Sequence, residues 1–148
     1  QGESSRLKLA LVREARAAVA SQAGIFGNRR GPGAFGALAI ANQGVSADSI
    51  DALLTQEVAK LGGDSLTEAE VAKARNIYRA SVISSRQEAF DIAEALQHAA
   101  LFLGDPTAAN TAFGRYMAVT VDDVRRVART YLRPDNSMTL LVNVEGRR

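Results

Sequence analysis

The residue with the widest chemical range in this chain is its single histidine, His98. Glu94 stands four positions earlier, a spacing that puts both side chains on one helix face and makes them two possible metal ligands. Two ligands do not make a site. Zinc wants four, and no second histidine exists to join them, so the pair reads as an ordinary feature of a helix surface. The chain has no cysteine, which excludes disulfides, thiolate catalysis and Cys-based metal sites. It is therefore compatible with either an oxidising or a reducing compartment. Serine is plentiful, but no Ser has a His and an Asp arranged to activate it, because His98 lies on its own helix.

The glycine-rich run from Gly27 to Gly36 carries Arg29 and Arg30 and could suggest a phosphate cradle. Such cradles lead from a strand into a helix N-terminus. This one does not, and it reads as the tip of a hairpin. Asp122 and Asp123 open a helical run and complement its dipole, while Arg125, Arg126, Arg129 and Arg133 fall along its outer side and read as a solvated face. Arg13 could pair with Glu14 or with the neighbours of Arg16 on another solvated face. With 18 Lys and Arg against 16 Asp and Glu, the formal charge of +2 is too mild to argue for nucleic acid. No apolar run approaches the roughly 20 residues that cross a bilayer.

These residues need elements to hold them, and 148 residues suffice for one core. Ser4 and Ser5 can cap a first helix, with Leu7 and Leu11 on one stripe and Leu9 and Val12 on the next. The stretch from Ala17 to Phe26 could continue that helix on alanine propensity alone, but Val19, Ser21 and Ala23 alternate as in a strand; Asn28 to Gly33 has turn chemistry and Ala34 to Asn42 alternates again, which suggests a hairpin. Gly44-Val45-Ser46 opens a helix with Ile50, Leu53, Leu54, Val58 and Leu61 on one stripe, and Gly62-Gly63 ends it. Thr67 and Glu70 fit a capping box at the head of a helical pattern that runs to Leu103. Unbroken, that pattern would be about 54 Å long, so a bend is predicted near Ser84-Ser85. Beyond the bend, Ile92, Leu96, Ala99 and Leu103 share a face, and Gly104-Asp105-Pro106 stops the helix. A short helix near Ala108 to Met117 follows. Thr120 then caps another, with Val124, Val127, Ala128 and Tyr131 facing one side. Arg133 to Asn136 turns the chain, and Met138, Leu140, Val142 and Val144 alternate as a last strand with one buried face.

Several short stretches, in this order, resemble the second domain of the pitrilysin/insulinase-type (M16 family) zinc metallopeptidase module. They are Gly2-Glu3-Ser4-Ser5-Arg6-Leu7 with Leu11-Val12-Arg13-Glu14, then Leu66-Thr67-Glu68-Ala69-Glu70, Gly104-Asp105, Val119 to Val124, and Arg133-Pro134-Asp135-Asn136. Caps and turns recur in many proteins, but their joint order and spacing cover nearly the whole chain. The resemblance implies an α+β, two-layer domain with a mainly antiparallel sheet packed on helices. It also implies that residues 1–148 are a partial second domain, with an opening strand and helix expected upstream of Gly2.

In such modules two similar domains pair, and the first holds an inverted H-x-x-E-H motif whose zinc activates water. One histidine cannot supply that motif, so any zinc is expected in the paired domain and none in this chain. The resemblance also implies an Arg and, seven residues later, a Tyr that reach the substrate carbonyl. Arg13 matches the first position, but Ala20 stands at the second. A methyl group cannot donate a hydrogen bond to a developing oxyanion, so this domain is expected to contribute substrate binding through Arg13 and no catalytic residue. The expected partners are a zinc-bearing domain, of the same protein or of another subunit, and a peptide substrate. An unpaired sheet edge is expected to drive self-association of the isolated chain. The family suggests a bacterial protein of the periplasm or cytoplasm, and the residues do not choose between them.

Overall fold

The computed structural model describes residues 2–27 and 31–142. The elements in chain order are α1 (Lys8–Glu14), β1 (Ala18–Gly27), β2 (Gly33–Ala41), α2 (Ala47–Ala59), α3 (Glu68–Ser85), α4 (Ala89–His98), α5 (Ala108–Met117) and α6 (Val121–Tyr131). Strands β1 and β2 pair antiparallel in a two-stranded sheet, so the architecture is α+β and rich in helix. The chain divides into two compact units, one formed by Gln1–Gly63 with Arg126–Arg148 and the other by Asp64–Arg125.

The first unit is built around Leu11, Ala17, Ala18 and Ile50. Leu7, Ala10 and Val12 pack on this core from around α1, Ala39 from β2, and Leu53 and Leu54 from α2. The stripe read at helical spacing in α2 is therefore the face that is used. Ser46 caps α2 by accepting from the Ser49 N–H at 3.2 Å, in extended backbone geometry at the cap residue. In the hairpin, Ser21 lies opposite Ala39, Ala23 opposite Ala37, and Ile25 opposite Phe35. A bulge between Ala18 and Ala20 adds one residue to β1 and lets its first residues turn into the core. The glycine and proline turn between the strands includes residues 28–30, which lie outside the described residues, so Arg29 and Arg30 are not placed.

The second unit carries the capping box read from the sequence. The Glu70 N–H donates to Thr67 Oγ1 at 3.3 Å, and the Thr67 N–H donates to Glu70 Oε2 at 3.1 Å. The predicted bend is present as a break, since α3 ends at Ser85 and α4 begins at Ala89. Beyond His98 the chain continues as a wider π-helical turn, Ala99–Leu103, which ends at Gly104 with a φ of 75°. Glycine tolerates that left-handed conformation because it has no Cβ. Of the face predicted across this segment only Ala99 is buried, and Ile92, Leu96 and Leu103 stay substantially exposed. Widening the helix after His98 changes the angle between successive side chains and takes Leu103 off a stripe drawn at 3.6 residues per turn, whereas Ile92 and Leu96 precede the widening and their exposure has another origin. At the head of α6 the Asp123 N–H donates to Thr120 Oγ1, and the Thr120 N–H donates to Asp123 Oδ2, both at 3.1 Å. Of the face predicted on this helix, Ala128 is buried, while Val127 and Tyr131 are exposed.

The last strand is a correction. Residues 138–142 form no strand, and Met138, Leu140 and Val142 are 95%, 84% and 82% exposed. The alternating pattern specifies two faces, but a strand also needs a neighbouring backbone to bond, and 138–142 pairs with neither β1 nor β2. The segment instead meets α2 through the opposite face, where the Thr139 hydroxyl donates to Asp51 Oδ1 at 3.0 Å. Val144 lies outside the described residues.

Candidate functional site

Arg13 takes its position from the winding of α1. Lys8–Glu14 is a π-helix, and it closes with a five-residue bond in which the Ala15 N–H donates to the Ala10 carbonyl at 2.9 Å. In an α-helix, residues five apart point about 140° away from each other. A π-helix, bonded i to i+5, stacks them instead, so Lys8 and Arg13 share one side. Glu3 meets both. It forms an ion pair with Lys8, and its Oε2 accepts from Arg13 Nη2 at 3.2 Å. The Lys8 hydrogen bond, then that of Arg13, lower the Glu3 carboxyl below its usual range. The partner of Arg13 is thus Glu3, from beyond the helix, and not Glu14 or the neighbours of Arg16. Just past the helix Arg16 adopts a φ of 50°, and its carbonyl accepts from Asn42 Nδ2 at 3.2 Å.

Beside this cluster lies a cavity of about 440 Å³ whose walls include Glu3, Arg6, Lys8, Ser21, Phe35 and Glu57. Glu57 is buried and is neutralised by an ion pair with Lys60 one turn on. Ser21 Oγ is buried without a hydrogen-bond partner among the described residues. Ser21, Gln22 and Ala23 line the cavity, and Ala20, next to Ser21, does not. Ala20 is exposed and lies opposite Ile40. The position where the resemblance expects a phenol thus carries a methyl group on the open face of the hairpin, beside the exposed side chains of Leu38 and Ile40. Glu3 and Lys8 were not singled out in the sequence. Residues at positions 8 and 13 are neighbours only on a π-helix, and no periodicity drawn for an α-helix would join them.

The other candidates fall elsewhere. The His98 ring packs against Phe102 with centroids 4.9 Å apart, and Glu94 is exposed on the same helix. Among the described residues no group of three or more His, Cys, Asp or Glu could hold a metal ion. The hairpin itself confirms that Gly27 to Gly36 does not lead into a helix. The arginines of α6 do more than face solvent. Arg125 donates to the Leu66 carbonyl at 3.1 Å and lies 3.5 Å from Asp122. Arg129 Nε donates to the Gly62 carbonyl at 2.6 Å, and its stem lies so close to Gly62 that a Cβ there would meet it at 3.1 Å. Both side chains satisfy carbonyls at the ends of other segments, work that spacing along one helix does not reveal.

Several solved structures share this fold. A protease from Helicobacter pylori is 26% identical and matches at a TM-score of 0.75, over 89% of this chain and 32% of that one. A protein assigned as a zinc protease, from Bordetella pertussis Tohama I, is 24% identical at a TM-score of 0.76, over 92% of this chain and 74% of that one. The inactive peptidase domain of a protein assigned as a zinc protease, from Bordetella parapertussis, is 22% identical at a TM-score of 0.82, over 99% of this chain and 79% of that one. The chain thus spans about a third of the length of the Helicobacter protein. No protein-family model matches it, and no curated protein matches it. The chain shares the fold of these solved structures, the α+β fold that the M16-type resemblance of the motifs implies.

Proposed function

We propose that this chain is a zinc-free accessory domain of a peptidase-family protein, packing on a zinc-bearing domain and helping to enclose a peptide for hydrolysis. The observation that carries the proposal is the fold match over 99% of the chain to a domain described as an inactive peptidase domain. The residues are consistent with a supporting role. Activation of water by zinc takes three protein ligands and an open position on the metal. This chain offers one histidine, and its ring is packed on Phe102. On this reading the zinc and its attacking water belong to the paired domain.

What this chain would add is binding. The Arg13 side chain is about half exposed, and the guanidinium carries five N–H donors in a rigid fork, of which one goes to Glu3. The remaining donors suit the carbonyl oxygens of an extended peptide. Among the described residues nothing pairs with the outer edges of β1 and β2, and these edges could extend the same contact by main-chain hydrogen bonding. At Ala20 there is no donor for a developing oxyanion, so stabilisation of the transition state would fall to the zinc-bearing domain.

That methyl group favours a second reading, a structural or assembly module of the same ancestry with no part in proteolysis. The two readings separate on Ala20→Tyr, assayed with the zinc-bearing domain present. An accessory peptidase domain gains hydrolysis, by up to about 10²-fold for one well-placed oxyanion donor, and a scaffold gains none. The purified chain alone is expected to hold far less than one zinc per chain by metal analysis and to cleave no peptide. Tight one-to-one zinc in that measurement would sink the proposal.

A further inference from the structure

Two cations, Lys8 and Arg13, are brought to one face by the π-helical winding of α1, and a single carboxylate, Glu3, bonds both. We propose that Glu3 is a positioning residue for Arg13, holding its guanidinium by one arm so that the rest of the fork is presented to the backbone carbonyls of a bound peptide. The inference rests on the proposed role of Arg13 and deepens it.

The geometry supports a holding role over a masking one. One contact joins Arg13 Nη2 to Glu3 Oε2 at 3.2 Å, and a guanidinium held through one nitrogen keeps donors on the others. A free arginine on the surface samples many rotamers, and binding a peptide would have to freeze them. Glu3 removes part of that freedom in advance, which is how preorganisation strengthens binding. Glu3 is in turn held by Lys8, so the chain of contacts runs from Lys8 through Glu3 to Arg13. The charges of the three sum to one positive, so an attractive field for carbonyl oxygens survives the pairing. The lowered carboxyl pKa of Glu3 keeps it ionised wherever the protein is folded near neutral pH. Exposed ion pairs contribute little to stability, so removing this one leaves the domain folded.

The test uses the full chain, a short neutral peptide with both ends capped, and the variants Glu3→Gln, Glu3→Asp, Arg13→Gln and Glu3→Gln/Arg13→Gln. Affinity is measured by titration, and the Arg13 Nε–H signal is followed by NMR. Glu3→Gln is expected to weaken peptide binding about fivefold, the order of the side-chain freedom that Arg13 regains. Glu3→Asp keeps the charge on a shorter arm and should fall between. In the Arg13→Gln background Glu3→Gln should have no effect on affinity, and in the parent chain it should shift the Arg13 signal. Equal weakening in both backgrounds would mean that Glu3 acts on the fold or the peptide by itself, and an unmoved Arg13 signal would mean that it does not hold the guanidinium. Either overturns the inference. If the signal moves but Arg13→Gln leaves affinity unchanged, the role of Arg13 in peptide binding has failed, and the inference falls with its premise.

Discussion

Asp105 shows how far a single carboxylate can shape its surroundings. Its Oδ1 accepts from the Thr107 N–H at 2.8 Å, and both its oxygens lie 2.7 Å from the Thr107 hydroxyl, just ahead of α5. These bonds, the side-chain one first, lower its pKa below the ordinary value of 3.8. A lowered carboxyl pKa stabilises the fold above the unfolded value, and the contribution is lost as pH falls through the folded value. Thermal melts of the parent and Asp105→Asn should therefore differ at neutral pH and converge as pH drops below 3.8. A constant difference down to the lowest pH would show that the carboxylate charge is not what acts. Leu11 makes the opposite kind of contribution. It has no exposed surface, so Leu11→Ala leaves a cavity in the first unit and should cost about 2–5 kcal/mol, read from the denaturation midpoint. A loss under about 1 kcal/mol would mean that the site collapses around the smaller residue. Leu11 was legible in the sequence as part of an apolar stripe, whereas the partners of Arg13 were not. Burial follows from pattern, but an ion pair between a helix and the residues before it depends on how that helix is wound.

Among the elements, those set by local chemistry were the legible ones. Ser46, Thr67 and Thr120 each bond an N–H three residues on, and these caps mark the starts of α2, α3 and α6 where the sequence placed them. Thr67→Ala removes one half of a reciprocal capping box and should cost about 1 kcal/mol. Urea denaturation checks this, and an unchanged midpoint would show that Glu70 alone secures the first turn. The break between α3 and α4 and the stop at Gly104 were legible for the same reason, since both follow from residues close in sequence. The strand expected from Met138 was not borne out, because alternation describes a residue's two faces and says nothing of which backbone lies beside it. The two π-helical turns were missed too. A stripe counted at 3.6 residues per turn takes α-helical winding for granted, and in Lys8–Glu14 it hides the one neighbour relation that gathers Lys8 and Arg13 around Glu3.

For the molecule as a whole, the α+β class and the peptidase-domain fold were legible from the order of short motifs, each weak by itself. The fold is shared by solved structures at 22 to 26% identity. Sequence at that level carries fold, and function has to be argued from what sits at particular positions. Here the positions are Arg13, which keeps an open fork, and Ala20, which has no donor to offer. On the proposed reading, this combination belongs to a domain that binds and encloses while another supplies the metal. The most direct test is reconstitution. Peptide hydrolysis would be measured for the zinc-bearing domain that the proposal expects, one with an inverted H-x-x-E-H motif, first alone and then with the chain added at equal concentration. The account predicts a stable complex between the two and hydrolysis at least tenfold faster when both are present, about 1.4 kcal/mol of transition-state stabilisation. Full activity of the zinc-bearing domain by itself, with no change on adding this chain, would contradict it.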